Sequence, residues 1–362
     1  MIPIADPQLG AREKERVSEI IDSGQLADGP EVREFENEFA DFSGAAHGVA
    51  TTNGTTALHT AIEALGLGEG DRVVTTPFSM IASANAIRLA DAEPVFADID
   101  PRTFNIDPHA VEKIVREQDV DALLPVHLFG LPAKMDHLCE IADEYDLLLI
   151  EDAAQAHGAE FEGERVGTFG DAACFSFYPT KNMTTGEGGM VLTDDKAVAE
   201  RAASFINHGR TTEGASYEHA TIGQNYRMTS VLAAIGRVQL ERLPEYNESR
   251  RENAVRLTEE LPDGLQTPIE PAGRTHVYHQ YTIRTEERDA LRDHLDSQGI
   301  GTGIYYPTPI HEQPVYDDIE CHAPVAEQAS REVLSLPIHP NLSPSDIGDI
   351  VTAIAAAEEV CA

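Results

Sequence analysis

The chain has 362 residues and a formal charge of −37, from 63 Asp and Glu against 26 Lys and Arg. That balance argues against nucleic acid and against anionic membrane surfaces as partners, since both need clustered basic groups. No apolar run approaches the roughly 20 residues of a membrane span, and the start lacks the apolar stretch of a secretory signal.

The acidic residues are spread over nearly every segment, and only five lysines occur: Lys14, Lys113, Lys134, Lys181 and Lys196. Such a surface suits a salt-rich cytosol, where screening over about 3 Å at 1 M removes most self-repulsion. A halophilic source is expected. Cys139, Cys174, Cys321 and Cys361 form no CxxC pair, and the 14 His show no HExxH or facial-triad spacing, so neither a metal site nor a disulfide framework is expected. A reducing cytoplasm is the expected location.

From residue 48 to about 195, short aliphatic or β-branched runs alternate with helical stretches. The runs are GVATT, DRVVTTP, EPVFADI, DALLPVHLF, DLLLIED, ACFSFYP and GGMVLTDD. Helical periodicity covers Thr56–Leu65, Met80–Ala90, Pro108–Glu117 and Met135–Tyr145. Alternation of this kind predicts an α/β fold with a mostly parallel seven-stranded sheet covered on both faces. The last two runs are joined only by a loop, so antiparallel pairing is expected there. GLGEGD (66–71) follows a helix and precedes a strand, the wrong order for a dinucleotide loop, and reads as a turn.

Residues 229–243 have helical spacing, with Thr229 or Ser230 as cap. Pro244 should mark a break or the first turn of a second helix. Beyond it a charged helix (Glu245–Leu261), HVYHQYTIR, ALRDHLDSQGIGTGIYY and a last helical stretch suggest a smaller α/β lobe. The expected division is 1–243 for the large domain and 244–362 for the small one.

In an open α/β sheet, ligands bind at the carboxyl ends of the strands. The residues falling there are Asn53 to Thr56, Thr76 to Phe78, His127, Glu151-Asp152 and Tyr178 to Lys181. Gly54, Thr55 and Thr56 open a helix and offer free N–H groups and hydroxyls to an anion; a plain N-cap reads the same. Asp152 would hold a pyridinium N–H or cap the following helix, and Gln155 offers an amide to a ring oxygen. Lys181 would form an imine if burial or neighbouring positive charge lowers its pKa; the alternative is an exposed loop lysine. Ser176 can donate to phosphate. A phosphate cup, a carboxylate for a ring nitrogen and an imine-forming lysine together read as a site for pyridoxal 5′-phosphate (PLP).

The motifs NGTTAL, EDAAQAHGA, FSFYPTKNMTTGEGGM, GQNYRM and AAIGRVQL resemble, in order and spacing, those of the DegT/DnrJ/EryC1/StrS sugar aminotransferases. The resemblance covers about residues 10–310, and IYYPTPIHEQPVY extends it. It implies a fold-type-I PLP-dependent transferase, active as a homodimer with shared sites. It makes Lys181 the lysine that binds the cofactor and Asp152 the partner of its ring nitrogen. Gln155 lies near the ring hydroxyl, and Gly54, Thr55, Thr56 and Ser176 hold the phosphate. Asn225 reaches the partner subunit's phosphate; otherwise it is a loop residue before a helix. Met80 stands where the family usually has a ring-stacking aromatic, and Phe78 would partly substitute. By the same resemblance His208, Arg210, Tyr305, Tyr306 and His311 are sugar or diphosphate contacts, against an alternative as packing residues.

The implied activity is transfer of an amino group from glutamate or glutamine to a nucleotide-linked keto-sugar. Sugar dehydratases of the family carry His in place of this lysine, so Lys181 speaks against that chemistry. The alternatives are another PLP enzyme of the same scaffold, forming an aromatic amine precursor, and a non-catalytic PLP-binding regulator.

Overall fold

The computed structural model describes residues 1–211 and 217–361. Two helices come first, α1 (Ala11–Ser23) and α2 (Pro30–Ser43). Pro30 opens α2, and Gly44 closes it in the left-handed conformation. Phe35 and Phe39 on α2 are fully buried against Phe175 and Phe177, which fixes α2 to one face of the sheet.

The main sheet takes β1 (His47–Thr51), β2 (Arg72–Thr75), β3 (Glu93–Phe96), β4 (Ala122–Leu124) and β5 (Leu148–Asp152). Two-residue strands β6 (Glu160–Phe161) and β7 (Glu164–Arg165) form a side hairpin before β8 (Ala172–Ser176) and β9 (Gly189–Thr193) return to the main sheet. Its order is β1-β9-β8-β5-β4-β2-β3. Six strands run one way; β9 runs against both neighbours. All seven expected runs are strands of this sheet, including the antiparallel pair joined by a loop. Strand residues such as Val73, Val74, Leu123, Ile150 and Val191 are almost wholly buried, as a sheet covered on both sides requires.

The crossovers are α3 (Gly54–Leu65), α4 (Ala82–Leu89), α5 (Pro108–Glu117) and α6 (Met135–Tyr145), and α7 (Lys196–Phe205) follows β9. Residues 66–71 form the expected turn, with Gly66 in the left-handed conformation.

Helix α8 (Ser230–Glu260) corrects the expectation of a break: it runs without interruption through Pro244. Thr229 caps its start by accepting from Leu232 N–H. An interior proline costs about 3 kcal/mol. Here Leu240, Leu243, Tyr246, Asn247 and Arg250 are buried on both sides of the exposed Pro244, and that packing outweighs the missing bond.

Beyond α8 lie β10 (Arg274–Thr275), which pairs with β6, and the antiparallel pair β11 (Tyr281–Arg284) and β12 (Val333–Leu336). Helices α9 (Arg288–Ser297), α10 (Pro324–Glu332) and α11 (Pro344–Cys361) accompany them. Leu257, Tyr281, Ile283, Leu295, Leu334, Leu336, Ile347 and Ile350 form a core of their own, against which Ile2 packs.

Candidate active site

The carboxyl ends of β1 and β8 flank β9, whose first residue, Gly189, pairs with Ser176, and β5 lies next to β8 on the far side. At the β1 end, Asn53 caps α3: its Oδ1 accepts from Thr56 N–H at 2.9 Å, and Thr56 Oγ1 accepts from Asn53 N–H at 3.0 Å. The cap therefore uses the Thr56 amide and hydroxyl. The amides of Gly54 and Thr55 are left as first-turn donors, where the helix dipole favours an anion. A Cβ at Gly54 would stand 2.8 Å from Ser176 Cβ, and one at Gly189 would run into the Asn53 carbonyl. Glycine at both positions is what brings the α3 amides against the Ser176 hydroxyl, making a cradle of phosphate-binding chemistry.

Asp152 ends β5 and is buried. No helix follows it, so the capping alternative fails. Its Oδ2 accepts from Ser83 Oγ at 2.7 Å, and its Oδ1 accepts from Ala154 N–H at 3.2 Å. Burial raises its pKa, while Ser83, Ala154 and Lys181 pull the other way. A buried carboxylate with this much solvation missing suits a cationic N–H donor. Behind it, Glu151 accepts from Gly167, Phe169 and Gly170 N–H and from His127 Nε2 at 3.0 Å. His127 Nδ1 accepts from Ala133 N–H, which fixes the tautomer. Gln155 is buried; its Oε1 accepts from Phe129 N–H at 2.8 Å and its Nε2 points to the Tyr306 hydroxyl at 3.3 Å. The amide face left to a ligand is thus a donor.

Lys181 lies in the loop between β8 and β9, its N–H bonded to the Tyr178 carbonyl at 2.9 Å. The side chain is only partly exposed. Burial lowers its pKa to about 8, against the pull of Asp152. Burial alone does the lowering, with no neighbouring positive charge taking part. The nearest basic groups yield instead: His157 is lowered to about 3 and His279 well below its ordinary value, by burial first and by Lys181 second. Lys181 is neither an exposed loop lysine nor ion-paired, and it is poised near the pH at which an amine becomes a nucleophile.

Residues 7–355 match the model of the DegT/DnrJ/EryC1/StrS aminotransferase family. The chain belongs to this family. It is 44% identical to a "Pleiotropic regulatory protein" of Geobacillus stearothermophilus, over 94% of this chain and 92% of that one. It is 40% identical to the UDP-N-acetyl-3-dehydro-alpha-D-glucosamine 3-aminotransferase of Acidithiobacillus ferrooxidans, over 93% and 91% of the two chains. The fold superposes on S. venezuelae DesV in complex with a ketimine intermediate with a TM-score of 0.91, at 39% identity, over 96% and 94% of the chains. The DegT/DnrJ/EryC1/StrS aminotransferases are PLP enzymes, and the residues here fit that cofactor: the Gly54–Ser176 cradle for its phosphate, Asp152 for its ring nitrogen and Lys181 for its carbonyl carbon.

The other residues divide by position. Tyr306 joins the site beside Gln155, and burial followed by the Asp152 charge raises its pKa. Tyr305 packs against Tyr306, with ring centroids 6.0 Å apart. Met80 is 53% exposed, while Phe78 is fully buried among Phe104, Phe129 and Tyr306 and cannot stand in for a stacking aromatic. His311 packs against Phe96, 3.5 Å from Glu327. Arg210 stacks over Tyr217 and lines a groove with Glu63 and Ala64, at the end of α3 opposite Gly54. His208 is exposed, its N–H bonded to Gln224 O, and Asn225 is exposed on the same segment. Among the described residues no hydrogen bond or ion pair joins His208, Arg210, Asn225 or His311 to Gly54 or Ser176. Ser83 was missed by the sequence reading; a lone serine whose partner is 69 positions away leaves no local signal.

Proposed function

We propose that the chain transfers an amino group from glutamate or glutamine to the ketone of a nucleotide-linked sugar, in glycan or amino-sugar biosynthesis. The observation that carries this is Lys181, lowered to about 8 by burial and facing Asp152 beside the Gly54–Ser176 cradle. Bound there, PLP supplies an electron-accepting ring and a carbonyl carbon that carries the amino group. Gly54 and Thr55 N–H and Ser176 Oγ orient the phosphate. Asp152, held by Ser83 and Ala154, keeps the ring nitrogen protonated. Lys181 Nζ, near its pKa, takes the proton from the donor's Cα and returns one when the sugar ketone is aminated.

The same reading makes the active unit a homodimer, with Asn225 completing the neighbour's phosphate cup and His208 and Arg210 serving the neighbour's sugar. Exposure of His208 and Asn225 in one chain supports it. The working division is 1–243 and 244–362, with α8 as a shared rod. The acidity fits a halophilic cytoplasm.

A regulatory reading comes from the 44%-identical relative's name. Against it stands a lysine tuned for reaction, which a binding-only site does not need. Incubation with glutamate and a panel of UDP-, GDP- and dTDP-linked keto-sugars, followed by mass analysis, tests the proposal. An aminated sugar is expected. No absorbance change on adding any amino donor would favour the regulator, and amination of a non-sugar ketone alone would favour the aromatic-amine alternative.

A further inference from the structure

A second cluster of basic groups lies away from the cofactor cradle, where the starts of α5 and α6 meet β10. Lys134, His109, His137 and Arg274 line a cavity of about 140 Å³ there. Lys134 Nζ is 3.2 Å from His137 Nε2, and the His137 and His109 rings are 6.3 Å apart. Arg274 Nη1 donates to the Pro132 carbonyl at 3.3 Å, with the guanidinium over Phe161.

Asp100 and Asp107 also line the cavity, each with one carboxylate oxygen engaged by its own loop or helix start. Asp100 Oδ1 accepts from Arg102 N–H, Thr103 N–H and Thr103 Oγ1 at 2.7–3.0 Å. Asp107 Oδ1 caps α5 through His109 N–H. Burial lowers the Arg274 pKa, and Asp136 and Asp100 oppose this without forming an ion pair with it. Among the described residues neither Lys134 nor Arg274 forms an ion pair, and both face the same cavity. Charge held in a partly desolvated place needs a counter-charge. Helix α6 also begins without a side-chain cap, at Lys134 itself, so its first amides add positive potential on the same side.

We propose that this cavity binds a tetrahedral oxyanion, either free phosphate or the phosphoryl group of a small metabolite. Arg274 presents a planar fork for two of its oxygens, Lys134 a point charge for a third, and His137 a ring N–H. The cavity has room for a phosphoryl group. Its occupant would tie the starts of α5 and α6 to β10 and is independent of the aminotransferase reading.

The test is titration calorimetry on the PLP-loaded protein, so that the cofactor cradle is filled, at constant ionic strength in potassium chloride. Inorganic phosphate and glycerol phosphate are titrated separately. One site per chain is expected, with affinity falling about tenfold or more in each of Arg274→Gln and Lys134→Gln. The cofactor absorbance should be unchanged in both. The tighter of the two probes identifies the source: phosphate marks a free anion, glycerol phosphate a phosphoryl metabolite. Arg274→Gln also removes the bond to Pro132, so Lys134→Gln, which does not, is the deciding variant if the first unfolds. Absence of binding by either probe, or affinity unchanged in Lys134→Gln, overturns the proposal.

Discussion

Replacing the lysine of the site should make the cofactor-free protein more stable while making it inactive. Burial lowers Lys181 from 10.5 to about 8. That difference corresponds to about 3 kcal/mol of penalty on the charged form in the folded state. Between pH 8 and 10.5 the unfolded chain binds the proton that the folded one has lost. Stability of the wild-type protein therefore rises with pH across that window, and the full penalty applies below pH 8. Lys181→Met removes the ammonium and keeps an apolar stem. At pH 7 the variant should gain up to about 3 kcal/mol, less whatever Asp152 loses with the lysine's attraction, and the gap should close by about pH 10.5. Urea unfolding of both proteins without cofactor, at fixed protein concentration and molar KCl, measures it at pH 7, 9 and 10.5. Asp152→Asn in both backgrounds separates the carboxylate's share. A Lys181→Met protein that is less stable at pH 7, or a gap that does not narrow with pH, would refute the argument that burial lowers this lysine.

Asp152→Asn should keep the cofactor but lose most turnover, since an amide meets the ring nitrogen without favouring its protonated form; near-normal turnover would show Asp152 to be structural. Gly54→Ala drives a Cβ to 2.8 Å from Ser176 Cβ, so equilibrium dialysis should show cofactor affinity reduced about tenfold or more, with the α3 cap intact. Pro244→Ala restores a helix N–H on an exposed turn, and the denaturation midpoint should rise by the equivalent of about 1 kcal/mol or more; a fall would mean that the proline is needed for the path of α8. In dilute buffer the −37 charge should favour monomers with loss of PLP and activity together, and molar KCl should prevent all three. A tight, PLP-loaded dimer without salt, seen by sizing and absorbance, contradicts the halophilic reading.

The sheet was legible because each of its strands is a short aliphatic or β-branched run, the first five separated by periodic helices, and burial on both faces leaves that pattern in the chain. Lys181, Asp152 and the Gly54 turn were legible because each lies at or within a few residues of a strand's carboxyl end. What escaped was set by contacts between distant segments. Ser83 reaches Asp152 only once α4 packs beside β5. Phe78 is enclosed by Phe104, from the loop after β3, and by Phe129, which no local pattern around residue 78 announces. Pro244 carries a strong local signal for a break, and only the buried residues on both sides of it, brought together by α1, α2 and the small core, overrule that signal.

The reversed strand has a consequence for the order of assembly. His47 pairs with Thr193, and β9 alone joins β1 to the remainder of the main sheet. As the chain leaves the ribosome, β2 to β5 can pair among themselves, while β1 has no edge to join until residue 193 has emerged. The loop that closes then is long, and such pairings form slowly. Gly54 and Ser176 therefore come together only once β9 has emerged. Until then the nascent chain presents β1 and α3 without their partner, and ribosome-bound chains halted before residue 189 should fail to retain PLP.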